Sequence, residues 1–111
     1  MDSTRQNKIS RLIQKELSNI LLRLSRNSQG IMITVSVVRV SPDLGIAKAY
    51  LSVFPSALGE AIVKQLNEDV KLIRFELGVK VRHQLRIIPE IRFYLDDSLD
   101  YIEHIDELLK N

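Results

Sequence analysis

Length, composition and charge already restrict what this chain can be. It has 111 residues, 45% of them hydrophobic, which is enough for one domain with a core of its own. It contains no cysteine, and this excludes disulfides, thiolate metal sites and thiol nucleophiles. No apolar run approaches the roughly 18 residues of a membrane span, and the N-terminal residues do not resemble a signal peptide. We therefore predict a single cytoplasmic domain over residues 1–111.

The net charge of +2 conceals a difference between the two ends of the chain. Residues 1–95 carry fifteen basic and eight acidic side chains, a net charge of +7. Residues 96–111 carry one basic and six acidic side chains, a net charge of −5. A basic body with an acidic end favours a polyanionic partner. The alternative is an uneven surface charge without functional meaning.

The first predicted element is an amphipathic helix over roughly residues 3–26. Its apolar side chains recur at three- and four-residue steps and so form one stripe: Ile9, Leu12, Ile13, Leu17, Ile20, Leu21 and Leu24. The opposite face carries Lys8, Arg11, Lys15 and Arg26, and Glu16 is the only acid in the body of the helix. Such a face lacks the usual i, i+4 ion pairs. We predict that it contacts phosphates; a merely solubilising face is the alternative.

Two strands that form an antiparallel hairpin are predicted after a turn at Gly30. In the first, over residues 31–40, alternation predicts that Ile33, Val35 and Val37 point to one face and that Thr34 and Ser36 point to the other. Residues 41–45 form a turn because of their Pro, Asp and Gly content. In the second strand, Ala47, Ala49, Leu51 and Val53 face the core, and four residues alternate outward: Lys48, Tyr50, Ser52 and Phe54.

Two helices separated by a kink follow the hairpin. Ser56 is the predicted N-cap of the first, whose buried stripe is Leu58, Ala61, Ile62 and Leu66. The apolar stripe changes phase near Glu68 and Asp69, which predicts the kink. The next helix is predicted to be buried on two sides, by Val70, Ile73, Leu77 and Val81 and by Leu72, Phe75 and Val79.

The polar side of this last helix holds a second basic line. Lys71, Arg74 and Arg82 share one quadrant of its helical wheel with Gly78. Glycine inside a helix costs about 1 kcal/mol relative to alanine. The missing side chain at Gly78 therefore predicts close approach by a neighbouring helix or by a phosphate.

A third strand and a final helix complete the predicted fold. Pro89 ends any preceding helix; Ile91, Phe93 and Leu95 then alternate with Arg92 and Tyr94. Arg86 and Arg92 extend the basic surface, and Tyr50, Phe54 and Tyr94 either stack on bases or pack on the sheet. An acidic amphipathic helix is predicted from Asp97 or Ser98 onward. The predicted class is α+β, with a three-stranded sheet and helices on one face.

Few residues in the chain suggest catalysis. Neither of its two histidines has a partner at metal-site spacing, and no phosphate-binding glycine loop or nucleophile motif is present. Asp96 and Asp97 could hold Mg²⁺ or act as acid and base in a nuclease. As carboxylates that precede a helix, they are better explained by the favourable helix dipole. We predict no enzyme activity, no cofactor and no metal site.

Three segments of the chain closely resemble the ribosome-binding factor A family, whose fold is similar to a type II K-homology (KH) RNA-binding domain. They are residues 33–50, 73–78 and 85–99. The most specific pattern is Arg-hydrophobic-hydrophobic-Pro-Glu-hydrophobic-x-Phe at residues 86–93, followed by Asp96 and Ser98. The resemblance implies a type II KH-like αββααβ domain with an extra C-terminal helix. It also implies a cytoplasmic assembly factor that binds 16S ribosomal RNA on the immature 30S subunit. Its expected role is in late maturation and 5′-end processing, often linked to growth in the cold.

The chain departs from the KH pattern at the kink. Where KH domains have a Gly-x-x-Gly loop and this family a small residue-x-Gly kink, the chain has Asp69, Val70 and Lys71. RNA contact is therefore expected from side chains, namely Lys8, Arg11, Lys15, Arg26, Lys71, Arg74, Arg82 and Arg86.

The expected partners are 16S rRNA and the free 30S subunit, with no membrane and no small-molecule substrate, and the protein is expected to be a monomer. The alternative is a protein-interaction module that docks on ribosomal proteins without direct RNA readout, through its acidic last helix.

Overall fold

The helices and strands follow the predicted order. The structure, a computed structural model, describes residues 4–26 and 30–96. Its elements are α1 (Thr4–Ser25), β1 (Met32–Val40), β2 (Ile46–Phe54), a short 3₁₀ turn (Ser56–Leu58), α2 (Gly59–Glu68), α3 (Val70–Val81) and β3 (Glu90–Leu95). This order confirms the predicted αββααβ arrangement. The predicted acidic last helix lies outside the described residues.

The three strands form one sheet in the order β1-β2-β3. β1 and β2 are antiparallel, as the short hairpin turn requires. β2 and β3 are parallel, and α2 and α3 supply the long crossover that a parallel pair needs. The central strand β2 alternates as predicted and buries Ala47, Ala49, Leu51 and Val53.

A bulge in β1 changes which of its side chains reach the core. The pairing register with β2 shifts between Val35 and Val37, so that Ser36 is the extra residue. The prediction that Val37 points to the same face as Ile33 and Val35 is wrong, because one extra residue reverses the alternation that follows it. Gln14 of α1 contacts the bulge, where its amide donates to the carbonyls of Val35 (3.2 Å) and Ser36 (3.4 Å). The buried residues of β1 are therefore Val35, Val38 and Val40.

The core lies between the sheet and the helices. The predicted stripe of α1 contributes Ile9, Ile13, Leu17, Ile20 and Leu21. Gln6 is also buried there, and its amide donates to the carbonyl of Val40 at 3.0 Å. Leu24 is half exposed, contrary to prediction. It lies next to the end of α1 at Ser25, beyond Leu21, the last buried position of the helix. One continuous cluster joins these residues to β1, β2, β3, α2 and α3.

The kink at Asp69 is confirmed, although α2 begins later than predicted. Ser56 is not an N-cap: it lies in the 3₁₀ turn, and no side chain caps α2. Leu58 and Ala61 are exposed rather than buried. The buried or partly buried positions of α2 follow the helical period from its true start: Gly59, Ile62, Val63 and Leu66.

The prediction that α3 is buried on two sides is wrong. Ile73, Leu77 and Val81 are in the core. The second apolar set is exposed, with 72% of Leu72, 71% of Phe75 and 51% of Val79 accessible. Within the described part of the chain, nothing covers this side of the helix.

Asn67 attaches α2 to the edge strand β3. The backbone N–H of Phe93 donates to Asn67 Oδ1 at 2.9 Å, and Asn67 Nδ2 donates to the carbonyl of Phe93 at 2.9 Å. An edge strand has backbone groups that no other strand pairs. The amide of Asn67 satisfies two of them and fixes the position of β3.

Candidate nucleic-acid interface

The basic face of α1 lies on the outside of the fold, as predicted. Lys8, Arg11 and Lys15 are all exposed. The ion pairs among the described residues are Arg23 with Glu76 and Arg92 with Glu90. The three outward cations of α1 therefore have no ion-pair partner within the described part of the chain. An unpaired row of this kind can accept an anionic ligand without first breaking a salt bridge.

Arg26 is separate from that row. It follows the end of α1 and lines a shallow depression with Met32 and Ile33. At 1.5 Å per helical residue, about 27 Å separates it from Lys8. The structure therefore does not bring Arg26 together with the other predicted contacts.

A cavity of about 470 Å³ brings Lys8 together with Arg86, which lies 78 positions later in the chain. Arg5, which the sequence analysis did not single out, lines the same cavity. The only sign of it in the sequence is its place three residues before Lys8. The hairpin turn forms the opposite wall with Pro42, Asp43 and Leu44.

Among the described residues, Asp43 is the one carboxylate that lines this cavity. Its Oδ1 accepts hydrogen bonds from the Ser41 hydroxyl (2.7 Å) and from the Gly45 N–H (3.0 Å). These donors, the Ser41 hydroxyl foremost, lower the pKa of Asp43 below its ordinary value. Asp43 is thus ionised but already bonded within its own turn. Three cations line the same cavity: Arg5, Lys8 and Arg86.

A second cavity, of about 540 Å³, lies along the outer side of α3. It brings together Lys71, Arg74 and Arg82, as the helical wheel predicted, and no carboxylate of the described part of the chain lines it. Phe75, Val79 and Ile88 supply apolar surface. A Cβ atom at Gly78 would lie 3.5 Å from Ile88 Cγ1, an ordinary contact. The close neighbour of Gly78 is thus the chain between α3 and β3, and the prediction of a neighbouring helix there is wrong.

Arg74 has a structural role in addition to its charge. Its guanidinium donates to the carbonyls of Ile88 (2.6 Å) and Pro89 (3.0 Å). Charge-assisted bonds of this type are stronger than those between neutral groups. Arg74 therefore holds the connection that carries Arg86 and leaves Lys71 and Arg82 as the freer cations of the second cavity.

The corner between α2 and α3 differs from a glycine loop, because several of its backbone N–H groups are already bonded within the chain. The Asp69 N–H donates to the Gln65 carbonyl at 3.0 Å, and the N–H groups of Leu72 and Ile73 donate to the Asp69 carbonyl. The Asp69 carboxylate accepts a hydrogen bond from Gln65 Nε2 at 3.1 Å. These amides are engaged inside the helices, so anionic ligands near this corner would meet side chains such as Lys71.

Metal-ligand clusters and membrane-spanning helices are both absent from the described residues. Residues 4–26 and 30–96 contain no group of three or more His, Cys, Asp or Glu side chains placed to hold a metal ion. In the same ranges, no helix is long and apolar enough to cross a membrane. Asp97, predicted to pair with Asp96, lies outside these ranges.

The αββααβ order and the three-stranded sheet with helices on one face define an α+β domain of the type II KH-like class, here with a basic helical side. Within that class, a sequence model described as ribosome-binding factor A matches residues 5–109. The chain therefore belongs to the ribosome-binding factor A family, which confirms the resemblance seen in its sequence.

Individual relatives agree with this assignment. Ribosome-binding factor A of Christiangramia forsetii is 48% identical over 98% of this chain and 85% of that protein. The crystal structure of ribosome-binding factor A from Thermus thermophilus matches with a TM-score of 0.69 at 19% identity, over 81% of this chain and 94% of that one. A Thermus thermophilus homology model fitted into the cryo-EM map of a 30S–RbfA complex matches with a TM-score of 0.62 at 18% identity, over 87% and 97%. The two structural matches show the fold.

Proposed function

We propose that this protein is an assembly factor that binds 16S rRNA on the immature 30S subunit. In this role it assists late small-subunit maturation, including 5′-end processing of the rRNA, in the cytoplasm and in cells growing in the cold. Residues 1–111 act as one monomeric domain, and the protein has no catalytic chemistry, cofactor or small-molecule substrate.

The observation that carries this proposal is the row of unpaired cations on α1, which continues into the cavity shared with Arg86. Lys8 belongs both to this row and to the cavity. Phosphate groups spaced along an RNA backbone match a row of this kind, and such contacts position a protein on its site. The second cavity, with Lys71 and Arg82, lies next to the first along the connection between α3 and β3. In that connection, Ile87 lines the first cavity and Ile88 lines the second.

The family supports the choice of the ribosome over other polyanions. A related factor from Thermus thermophilus has been fitted into the map of its complex with the 30S subunit. Folded rRNA is recognised largely by its shape and by its exposed backbone and sugars. The eight predicted contacts would supply the phosphate-binding part of that recognition: Lys8, Arg11, Lys15, Arg26, Lys71, Arg74, Arg82 and Arg86.

Co-sedimentation with ribosomal particles tests the proposal. The parent protein should travel with free 30S particles and not with translating 70S ribosomes. A triple variant, Lys8→Glu, Arg11→Glu, Lys15→Glu, should lose most of its affinity for the 30S subunit. The slope of log affinity against log salt concentration should become flatter by about two to three units, since each phosphate contact contributes about 0.7 to 0.9. The variant's melting temperature should stay near that of the parent, because exposed substitutions change stability by only about 0.5 kcal/mol.

The matched control is a single charge reversal on another helix. Arg11→Glu and Lys64→Glu change the charge equally, and both residues are exposed on helices. Only Arg11→Glu should weaken 30S binding. Reversing Asp106 and Glu107 in the acidic C-terminal segment should leave the binding intact or slightly stronger. Equal binding by the parent and the α1 triple variant would reject α1 as the RNA face and shift the assignment to Lys71, Arg74 and Arg82.

Docking on a ribosomal protein is the second candidate function. The exposed set Leu72, Phe75 and Val79 favours it, because adjacent exposed apolar side chains often mark protein contacts. The discriminating measurement is a pull-down of 30S proteins from which the RNA has been removed. Capture that Leu72→Ser and Phe75→Ser abolish would favour this candidate over direct rRNA binding.

A further inference from the structure

The sheet face that points away from the helices carries a row of three cations. Arg39 of β1 pairs in register with Lys48 of β2, and Lys48 pairs with Arg92 of β3. All three side chains are exposed. Like charges directly opposite each other destabilise a sheet. Glu90 offsets one of the three, at 3.5 Å from Arg92, so the row keeps a positive excess.

A pair of stacked tyrosines lies next to this row on the same face. Tyr50 and Tyr94 are register partners two residues beyond Lys48 and Arg92, about 7 Å further along the strands. Their ring centroids are 5.5 Å apart and the rings are inclined by 27°. Tyr94 lies on β3, which has no further strand beside it within residues 4–26 and 30–96, and is 37% exposed. A partly exposed aromatic side chain thus lies beside a row of positive charge.

We propose that this face, defined by Arg39, Lys48, Arg92, Tyr50 and Tyr94, binds an unpaired, single-stranded RNA segment. One base stacks on the tyrosine pair while the flanking phosphates contact the cations. The inference rests on the proposed function and adds a second surface to it, because the α1 row and the two cavities lie on the helical side.

The chemistry of the face favours single strands over duplex RNA. Proteins that bind single strands combine a positive track for the backbone with aromatic rings on which bases stack. In a duplex the bases are already stacked inside the helix, and only phosphates and sugars would meet the sheet. The tyrosine pair would then contribute nothing. The acidic C-terminal segment of this chain also has complementary charge, but it holds one aromatic residue, Tyr101, and no phosphates.

Fluorine NMR on the full chain can test the proposal directly, because the protein contains only three tyrosines. The chain is labelled with 3-fluorotyrosine in a Tyr101→Phe background, so that the two remaining signals come from Tyr50 and Tyr94. Decaadenylate should shift both signals in a saturable way, and a blunt duplex of the same length should not. The midpoint should match the binding curve of the dye-labelled oligonucleotide.

Variants of the face separate stacking from charge. Tyr94→Leu should weaken decaadenylate binding roughly fivefold or more, whereas Tyr94→Phe should bind as the parent does, since stacking needs the ring and not its hydroxyl. A triple variant, Arg39→Gln, Lys48→Gln, Arg92→Gln, should have a flatter slope of log affinity against log salt concentration. The slope should change by about two, since each phosphate of a single strand contributes about 0.7. The control, Lys64→Gln with Lys80→Gln, removes exposed positive charge from helical positions outside the proposed contacts and should leave the tyrosine shifts unchanged.

Three results would overturn the proposal. The first is that decaadenylate leaves both tyrosine signals in place although the parent still co-sediments with 30S particles; the proposed function would then survive alone. The second is equal binding by Tyr94→Leu and Tyr94→Phe. The third is a shift of both signals, without RNA, when Asp106 and Glu107 are changed to lysine, which would show that the C-terminal segment covers the face. Failure of the parent to co-sediment would instead reject the proposed function.

Discussion

The attachment of β3 to α2 through Asn67 yields a quantitative prediction. Asn67 makes two hydrogen bonds of 2.9 Å with the backbone of Phe93, and both are partly buried. Each contributes a net of about 0.5–1.5 kcal/mol, and loss of the side chain also leaves two backbone groups of Phe93 without a partner. Asn67→Ala should therefore lower the free energy of unfolding by about 2–3 kcal/mol. The melting temperature should fall by about 8–15 °C for a chain of this size.

Urea denaturation followed by circular dichroism measures the global effect, and amide hydrogen exchange at Phe93 measures the local one. Asn19→Ala is the control, because Asn19 is exposed on α1 and its side chain has no hydrogen bond to the described residues. It should leave the stability unchanged or slightly raised. A loss below about 0.5 kcal/mol for Asn67→Ala, with unchanged exchange at Phe93, would refute the assigned role.

Asn67→Asp adds a pH-dependent form of the same test. The introduced carboxyl can accept from the Phe93 N–H, but when ionised it cannot donate to the Phe93 carbonyl and repels it. Folding therefore favours the protonated form, so the pKa of this carboxyl should be higher in the folded state. The loss of stability relative to the parent should be small below the pKa of this carboxyl in the unfolded chain, about 4. It should grow as the pH rises through the pKa of the carboxyl in the folded state. A deficit independent of pH between 3 and 7 would contradict the two-bond geometry.

Three further predictions address other parts of the fold. Leu77→Ala truncates a fully buried side chain and should lower the free energy of unfolding by about 2–5 kcal/mol. Leu72→Ala on the exposed side of α3 should change the free energy of unfolding by less than about 0.5 kcal/mol. Urea titration measures both variants, and equal losses of stability would indicate that α3 is buried on two sides after all. Ser41→Ala removes the main hydrogen bond that lowers the pKa of Asp43, so this pKa should rise toward its ordinary value in a carbon-detected NMR titration. A carboxyl whose pKa is lowered on folding stabilises the protein above its unfolded pKa and loses this effect as the pH falls through the folded value, so Ser41→Ala should be less sensitive to acid than the parent. Ser10→Ala removes a buried hydroxyl that has no hydrogen-bond partner among the described residues and should raise the stability by about 0.5 kcal/mol, through better helix propensity; thermal melting that shows a clear loss would contradict this.

The elements that the sequence predicted correctly depend on local periodicity. The stripe from Ile9 to Leu21, the alternation of β2 and the phase change at Asp69 each follow from side chains within one or two turns of each other. The wrong predictions concern burial, which depends on how an element packs against its neighbours. One extra residue at Ser36 turned Val37 away from the face that holds Val35. Phe75 was predicted to be buried as part of a second apolar set, but nothing among the described residues covers it.

The same division applies to the candidate interface. The sequence by itself identified the basic side chains of α1 and α3, because helical spacing determines which of them share a face, and its motifs identified the family. Only the tertiary structure joined Lys8 to Arg86, tied Arg74 to two backbone carbonyls, and aligned Arg39, Lys48 and Arg92 across three strands. Helical spacing is a property of one short segment. Strand register and the path of a connection depend on how distant segments pack around the shared core.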